Sequence, residues 1–476
     1  MAASGPRVAT SPATPYPGRN ATHRVFFADI RMPAEGDAGQ IEGRSALRRA
    51  VRNFGKLLRG RGVAAVLELV TVGLLARALS PGSFGNIVLI QTYVLVVRGL
   101  FNFKLYEVLV RFGVPLLEDA DHSAFRQLLR ITLLLDLISS VVATLTAVLA
   151  APLVGEILGW ETGVAPVSMW YSCVLLTYGF GTAKGILRIF DRYDVLGIQL
   201  MVGPLLRLAG VLVIMLVDPT LRSFVIALVL ATAIGNGYLI VQGLAELRRQ
   251  LGTLELKLAF RRSWRGDFPE LAKFVGIVYW QGNIDMLPRH VSTLLAGTIL
   301  GSAGAGLLRL ARETTKVLSK PGGLLRQVLY PDLVRMWLRG TDTFRMVLGR
   351  AILISALVGF GFVVAAMAGG SALLTVALGA DYAAAAPLMT LLLLATTVEL
   401  MATVLRAAGY AMGGAGAILR LHLFSSVFYL LLFVLLTPWL GLIGPGFAAC
   451  AAALVPLGGT GLFVVRGIRE RHAPES

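Results

Sequence analysis

Cysteine and histidine are scarce in this chain, and no catalytic motif is evident. The 476 residues include two cysteines, Cys173 and Cys450, and five scattered histidines, a pattern that fits neither a disulfide framework nor the ligand cluster of a metal site. There is no P-loop and no HExxH pair, and Pro81 stands where a GxSxG elbow would need its first glycine. We therefore predict no metal, no cofactor and no enzymatic activity.

Charge is also sparse. Charged residues make up 15% of the chain and hydrophobic residues 56%, with a mean hydropathy of +0.74, whereas about a quarter of a typical soluble domain is charged. The composition therefore indicates an integral membrane protein. The net charge of +17 would suggest nucleic acid in a soluble protein. Here most of it lies beside apolar segments, so we expect anionic lipids of the inner leaflet as partners and no nucleic acid.

Long apolar segments recur from Gly62 onward. A helix rises about 1.5 Å per residue, so about 20 apolar residues cross a hydrocarbon layer about 30 Å thick. We predict an all-α integral membrane protein with about 12 transmembrane helices. The predicted spans are 62–79, 84–103, 127–150, 165–187, 195–216, 221–246, 272–296, 303–325, 345–369, 384–408, 418–437 and 441–465.

Basic residues are distributed unevenly among the connections between these spans. The first connection, 80–83, and every second one after it contain no Lys or Arg, whereas the others are basic. Basic connections stay on the cytoplasmic side of a membrane. The pattern therefore predicts that both termini are cytoplasmic, which requires an even number of spans.

Sequence motifs repeat at a nearly constant offset. Phe84-Gly85 corresponds to Ala305-Gly306, and Ile186-Leu187-Arg188 corresponds to Val404-Leu405-Arg406. Matches in the same order at the same kind of span boundary indicate two repeats of six spans. Because six is even, the repeats are parallel and form an N-lobe and a C-lobe around a central cavity.

The composition divides the chain further. The first segment is rich in Pro, Ala, Gly and Arg, which predicts disorder. The second combines an apolar stripe with basic residues on its other faces, as in a helix that lies on a membrane surface. The predicted divisions are a cytoplasmic tail (1–44), a basic amphipathic interfacial helix (45–61), the N-lobe (62–246), a cytoplasmic linker (247–271), the C-lobe (272–467) and a short cytoplasmic tail (468–476).

Three stretches carry a family resemblance: LLARALSPGSFG at 74–85, GLLRLARETTKVLSKPGGLLRQVLYPDL at 306–333 and LLTVALGADYAAAAPLMTLLLL at 373–394. They resemble the polysaccharide-biosynthesis flippases of the multidrug/oligosaccharidyl-lipid/polysaccharide (MOP) exporter superfamily. The resemblance implies alternating-access movement of an undecaprenyl-diphosphate-linked oligosaccharide across the bacterial inner membrane, for O-antigen, capsule or exopolysaccharide assembly. It also implies a polysaccharide polymerase and glycosyltransferases as partners.

Charges inside the predicted eighth span are the first candidate site. A charge at the bilayer centre costs about 2.5–3.5 kcal/mol on insertion scales, so it needs a partner or a wet cavity. Arg309, Arg312 and Lys316 are spaced three and four residues apart and share one helix face. We predict that they line the cavity and bind the diphosphate, because Arg matches phosphate oxygens with planar, paired donors. Glu313 offers an alternative partner for Arg309.

The fifth and seventh predicted spans supply further candidates. Arg207, deep in the fifth, either forms an ion pair with an acid such as Glu68 or Asp136 or contacts substrate. In the seventh, Pro288 breaks the helix among polar residues, as at the binding sites of many transporters. There we predict that Arg289 binds phosphate and that Trp280 and Asn283 bind sugar; the alternative is a structural ion pair between Asp285 and Arg289.

The chain has no nucleotide-binding motif, so we expect the energy for transport to come from an ion gradient or from product removal. Asp285 and Glu399 are the candidate ion-coupling residues, because a carboxylate in a low-dielectric setting takes up a proton readily.

Three other functions stay open at this point. A cation-coupled multidrug antiporter of the same superfamily would have a cavity dominated by carboxylates. An outer-face membrane glycosyltransferase or polymerase would need a sizeable outer loop, but the longest outer connections, 151–164 and 370–383, are short. A scaffold that only gathers other enzymes would tolerate the loss of its membrane-embedded charges.

Overall fold

The computed structural model describes residues 37–160, 163–252, 270–284, 287–339 and 341–472. Within these ranges the regular structure is entirely helical. The α-helices are α1 Asp37–Ala78, α2 Pro81–Leu100, α3 Leu105–Glu118, α4 His122–Ile157, α5 Val164–Ser172, α6 Gly181–Ile189, α7 Tyr193–Val217, α8 Leu221–Leu251, α9 Leu271–Ile284, α10 Leu287–Arg339, α11 Thr341–Leu378, α12 Ala386–Ala411, α13 Ala415–Leu440 and α14 Gly444–His472. Short 3-10 helices occur at Cys173–Tyr178, Ala380–Ala385 and Gly441–Ile443.

Each of the twelve predicted spans falls on helical structure. Among the described residues, eight helical stretches are long and apolar enough to cross a membrane, and two of them, Pro81–Glu118 and Ala415–Arg471, each contain two α-helices. The predicted fourth span is interrupted by a break, and residues 285–286 of the predicted seventh span lie outside the described residues. The connection before the third span holds a helix, α3, that we did not predict from the sequence.

Residues Met1–Arg52 and Asn53–Ser476 form two separate compact units. Most of the predicted tail lies outside the described residues, but α1 begins at Asp37 and continues through the predicted interfacial helix into the first span. It begins before residue 45 because no proline interrupts the chain between Pro33 and Pro81. Similarly, α14 extends to His472, and most of the predicted linker, 253–269, lies outside the described residues.

Side-chain caps fix where some helices begin. The Ser80 hydroxyl oxygen accepts a hydrogen bond from the Ser83 amide at 3.3 Å, and Pro81 is the first residue of α2. An Asp121 carboxylate oxygen accepts from the Ala124 amide at 3.0 Å at the start of α4. These contacts satisfy amides that the first turn of a helix leaves unpaired.

The break in the predicted fourth span lies against Asp136 of α4. The span runs as α5, a 3-10 turn and α6, and the Asp136 carboxylate accepts a hydrogen bond from the Thr182 amide at 2.6 Å in the first turn of α6. A methyl group built on Gly181 would lie 2.8 Å from an Asp136 carboxylate oxygen, so this close approach needs glycine. Asp136 is therefore a capping residue for a broken helix, which removes it as the partner of Arg207.

The two halves of the chain meet through α2 and α10. Gly85 of α2 lies so close to the Ser302 carbonyl oxygen of α10 that a methyl group on Gly85 would overlap it. Nearby, the Tyr382 hydroxyl donates to the Leu79 carbonyl oxygen at 3.0 Å, and the Tyr382 ring packs edge-on against Phe84. We name this contact region, formed by Leu79, Phe84, Gly85, Ser302 and Tyr382, the outer seam. It lies at the end of the helices that the charge pattern predicts to face the outside of the cell.

Helix α9 contacts the first half of the chain although its sequence belongs to the second. Phe274 packs edge-on against Phe112 of α3 with ring centroids 5.7 Å apart. Tyr279 stacks on Phe103 at 5.5 Å, and its hydroxyl donates to the Leu100 carbonyl oxygen at 3.0 Å. The first part of the predicted seventh span, α9, thus packs against the first half of the chain.

Candidate functional site

A cavity of about 570 Å³ lies among α10, α12, α13 and α14, with Leu95 of α2 at its wall. Its charged lining residues are Arg289, Arg309, Arg312, Lys316, Glu313 and Glu399. Five of the nine predicted site residues therefore line one cavity: Arg289, Arg309, Arg312, Lys316 and Glu399. The sixth charged lining residue, Glu313, was not one of those nine. We predicted a central cavity between the two lobes. Most of the lining of this cavity instead comes from the second half of the chain, so the cavity lies largely within the C-lobe.

A reversal of the chain inside α10 creates this clustering. Gly301 has φ 72° and ψ −179°, a conformation that L side chains rarely adopt, and the helix breaks there. Segments on either side of Gly301 then run back along each other and bring Arg312 against Arg289 and Thr293. The sequence places Arg309, Arg312 and Lys316 on one face, and the hairpin places Arg289 opposite them.

Arg312 is held entirely by neutral oxygen atoms. One terminal nitrogen donates to the Thr293 hydroxyl at 2.7 Å and to the Arg289 carbonyl oxygen at 3.2 Å. The other donates to the Ser292 hydroxyl at 2.8 Å and the Tyr429 hydroxyl at 2.6 Å. No carboxylate of the described residues lies within ion-pair distance of it. Its positive charge is oriented but not neutralised.

Glu313 lies between the other two cations of the stripe. Its side chain is 4% exposed, and one carboxylate oxygen is 2.8 Å from Arg309 Nε and 2.6 Å from Lys316 Nζ. The sequence predicted Glu313 as an alternative partner for Arg309 but left Lys316 without one, so that prediction was incomplete. One carboxylate serving two cations leaves a net positive charge on this group.

Glu399 lines the same cavity with a basic partner that we did not predict. An oxygen of its carboxylate is 2.6 Å from a guanidinium nitrogen of Arg406, which also donates to the Thr403 hydroxyl at 2.6 Å. The Glu399 side chain is still 42% exposed. Glu399, the candidate ion-coupling residue, thus forms an ion pair with Arg406 and is still accessible to solvent.

Arg207 does not line this cavity. One of its terminal nitrogens lies 3.2 Å from the Glu68 carboxylate, and its Nε donates to the Gly203 carbonyl oxygen at 3.4 Å. Both side chains are partly exposed. Of the two interpretations left open by the sequence, the structure contains the ion pair, with Glu68 on α1 as the partner.

The remaining candidates are dispersed. Trp280 is 64% exposed and packs edge-on against Tyr279, with ring centroids 5.6 Å apart. Asn283 is buried, and its amide nitrogen has no hydrogen-bond partner among the described residues. Asp285 lies outside the described residues. Neither Trp280 nor Asn283 lines the C-lobe cavity.

Several lining residues were missed, although the sequence contains a signal for them. Four polar residues of the largely apolar α13 line the cavity: His422, Ser425, Ser426 and Tyr429. The last three follow His422 by three, four and seven residues. Polar residues at this spacing form a stripe along one face of a helix. A search for polar stripes, instead of charges alone, would have found this wall.

Comparison with known proteins places the chain in a family. A family model described as "Polysaccharide biosynthesis protein" matches residues 74–387. The inner membrane protein YghQ of Escherichia coli (strain K12) is 27% identical over 321 residues, which cover 65% of this chain and 89% of YghQ.

Solved structures show the same fold. An inward-facing multidrug resistance MATE family transporter of the MOP superfamily superposes with a TM-score of 0.67 at 15% identity, covering 86% of this chain and 96% of that one. The lipid II flippase MurJ in an inward closed conformation superposes with a TM-score of 0.65 at 11% identity, covering 86% of each chain.

These similarities confirm the predicted architecture. The chain is an all-α, multi-pass membrane protein with about twelve transmembrane helices in two lobes, and its matched relative YghQ is an inner membrane protein. The family match extends from the exit of the first predicted span to the start of the tenth. The chain belongs to the polysaccharide biosynthesis protein family.

Proposed function

We propose that this protein is a flippase that moves a polyprenyl-diphosphate-linked oligosaccharide across the bacterial inner membrane by alternating access. It supplies O-antigen, capsule or exopolysaccharide assembly and performs no covalent chemistry. Membership of a polysaccharide biosynthesis family supports the class of cargo, and the fold shared with a lipid II flippase supports the mode of action.

The arrangement around Arg312 carries the proposal. Four neutral oxygens fix the guanidinium plane and leave its charge uncompensated inside a cavity. A buried charge without a partner is costly, so an anionic ligand would stabilise this site. A diphosphate suits it because its negative charge would offset the guanidinium charge at short range in a setting less polar than bulk water.

The balance of charges in the cavity favours an anion over a cationic drug. Four lining residues are cations and two are carboxylates. Both carboxylates are already engaged by basic side chains, Glu313 by Arg309 and Lys316, and Glu399 by Arg406. A cationic ligand would find no unengaged carboxylate among the described lining residues.

Neutral polar groups next to the cations suit the sugar part of the cargo. Ser425, Ser426 and Tyr429 of α13 line the cavity, and so does Thr396 of α12. Hydroxyl groups both donate and accept hydrogen bonds, as sugar recognition requires. A volume of about 570 Å³ lies within the usual range for small-molecule sites.

The conformation is consistent with loading from the cytoplasm. The outer seam closes the lobes at the predicted outer end, through Tyr382, Leu79 and the approach of Gly85 to Ser302. Alternating access then requires the seam to open and the opposite end to close. Glu399 is our proposed ion-coupling residue, with Arg406 as the partner that a bound cation would displace.

Replacement of Arg312 by Gln tests the proposal. The variant and the wild type are expressed in a strain that lacks the chromosomal copy, and surface polysaccharide and lipid-linked repeat units in the inner leaflet are measured. We expect at least a tenfold loss of surface polysaccharide and accumulation of lipid-linked units. Arg420→Gln, which removes an exposed charge from α13 outside the cavity, is the matched control and should behave as wild type. Normal polysaccharide from an inserted Arg312→Gln variant would contradict the proposal.

A further inference from the structure

Three cations cluster in the N-lobe, away from the C-lobe cavity. Arg98 lies in the last turn of α2, and Lys184 and Arg188 lie four residues apart on α6. We name Arg98, Lys184 and Arg188 the N-lobe cation cluster. It lies at the predicted cytoplasmic end of the helices, and none of its members lines the C-lobe cavity.

Aromatic rings lie beneath all three charges. The Arg98 guanidinium carbon is 3.9 Å from the centroid of the Tyr178 ring. Lys184 Nζ and the Arg188 guanidinium carbon are each 4.4 Å from the centroid of the Tyr106 ring. Cation–π contacts stabilise desolvated positive charge, but they add no negative charge. The cluster remains cationic.

Hydrogen-bond donors of the cluster are unused. The Nε atoms of Arg98 and Arg188 are buried without a hydrogen-bond partner in the described part of the chain. Within the same residues, no member of the cluster has a carboxylate at ion-pair distance. The neighbouring acid, Glu107, accepts a hydrogen bond from the Tyr106 hydroxyl at 2.6 Å. Buried donors are seldom left without an acceptor, so the cluster lacks an acceptor that an anion would supply.

Backbone packing holds the cluster in place. A methyl group built on Gly185 would lie 2.9 Å from Leu109 and 3.2 Å from the Tyr106 Cα atom, so α6 packs directly on α3 at this glycine. This approach keeps Tyr106 beneath Lys184 and Arg188. The close packing of α6 on α3 therefore positions these two charges over the Tyr106 ring.

We propose that the N-lobe cation cluster is a second anion site, which binds the phosphate of a membrane lipid at the cytoplasmic end of the N-lobe. A phosphate group supplies the negative charge that the cluster lacks, and its oxygens accept hydrogen bonds from guanidinium and ammonium groups. The lipid is either an ordinary anionic phospholipid or the polyprenyl-diphosphate carrier, because both present the same chemical group. Only the second source rests on the proposed function.

Lipid binding to the purified full-length protein tests this assignment. Native mass spectrometry measures the affinity for phosphatidylglycerol and, separately, for undecaprenyl diphosphate. In Lys184→Gln/Arg188→Gln we expect at least a tenfold loss of affinity for one or both lipids. A loss for undecaprenyl diphosphate alone identifies the carrier, and a loss for phosphatidylglycerol, alone or with it, identifies a general phospholipid site.

Three further variants keep the result interpretable. Arg126→Gln/Arg249→Gln removes two exposed charges at the same end of the lobe and should bind as wild type. Lys184→Arg preserves the charge and should stay within about threefold of wild-type affinity. Arg312→Gln leaves the N-lobe cation cluster intact. Normal surface polysaccharide from that variant would therefore contradict the proposed role of the C-lobe cavity and leave the second site untouched.

Two results would overturn the second site. One is unchanged affinity for both lipids in a folded Lys184→Gln/Arg188→Gln protein. The other is an equal loss in the Arg126→Gln/Arg249→Gln control, which would show that total charge, and not the cluster, sets affinity. Should the double variant fail to fold, Lys184→Gln alone leaves the Tyr106 packing in place and is expected to lower affinity several-fold; unchanged affinity there also overturns the site.

Discussion

Arg312 donates a hydrogen bond at 3.2 Å to the main-chain carbonyl oxygen of Arg289, a residue 23 positions earlier in the same helical run. A continuous helix would place these residues about 35 Å apart. The contact exists because the chain reverses at Gly301 between them. A single glycine conformation thus brings two cations of one chain segment to the same cavity wall.

The first prediction concerns that glycine. Gly301→Ala places a side chain at φ 72° and ψ −179°, and such strain costs on the order of 1–3 kcal/mol. A methyl group there would meet no atom within 4 Å, so any loss comes from the backbone. We expect a lower thermal unfolding midpoint in detergent. Gly361→Ala, in ordinary helical conformation and also without contacts, should be neutral or slightly stabilising. Equal midpoints for the two variants would contradict the argument.

The second prediction tests how Glu313 serves two cations. Glu313→Gln removes the counter-charge of Arg309 and Lys316 while keeping the side-chain shape, and we expect it to destabilise the protein by about 1–3 kcal/mol. Lys316→Gln alone should cost less, because Arg309 keeps its partner. A double-mutant cycle in denaturant unfolding should give a coupling of roughly 0.5–3 kcal/mol. A coupling near zero would mean that the contact contributes nothing to stability.

The third prediction separates coupling from binding at Glu399. If a cation displaces Arg406 during transport, Glu399→Gln should abolish the dependence of transport on the ion gradient while keeping affinity for the diphosphate within about threefold. Reconstituted vesicles with and without an imposed gradient measure both quantities. Full gradient dependence in Glu399→Gln would exclude this residue as the coupling group.

Helix positions and helix faces were predictable, because both follow from periodicity within one segment. The twelve apolar segments all lie on helical structure, and the spacing of Arg309, Arg312 and Lys316 correctly indicates a shared face. Partners from other segments were not predictable. Glu68 lies 139 residues from Arg207, and Tyr429 lies 117 residues from Arg312. Such pairings depend on which helices become neighbours, and spacing along one helix does not contain that information.

Breaks in the helices were predictable only in part. Pro288 predicts an interruption of the seventh span, and this stays a prediction because residues 285–286 lie outside the described ranges. The fourth span breaks without a proline, where Asp136 of another helix supplies an acceptor for the Thr182 amide. The glycines at 179 and 181 permit that approach, yet glycine is too frequent in this chain to single them out, with 53 in the sequence.

The last prediction concerns the outer seam. Gly85→Ala would force its methyl group into the Ser302 carbonyl oxygen, and because that atom belongs to the backbone, α2 and α10 must separate. Separation also loosens the nearby contact of Tyr382 with Leu79. The closed outer end should therefore be destabilised relative to the open one. A cysteine placed at Ala305, which is fully buried, should then react faster with a membrane-impermeant maleimide added from outside.

Gly82→Ala provides the matched control for this experiment. It lies one turn earlier on α2, and its methyl group would sit 3.7 Å from the Ser302 hydroxyl oxygen, an ordinary contact. Its labelling rate at position 305 should equal that of the parent carrying only the cysteine. If Gly85→Ala also labels at the parent rate while remaining folded, the seam is not the element that closes the outer end. If it labels faster and transport falls, the approach of Gly85 to Ser302 is a determinant of the balance between the two access states.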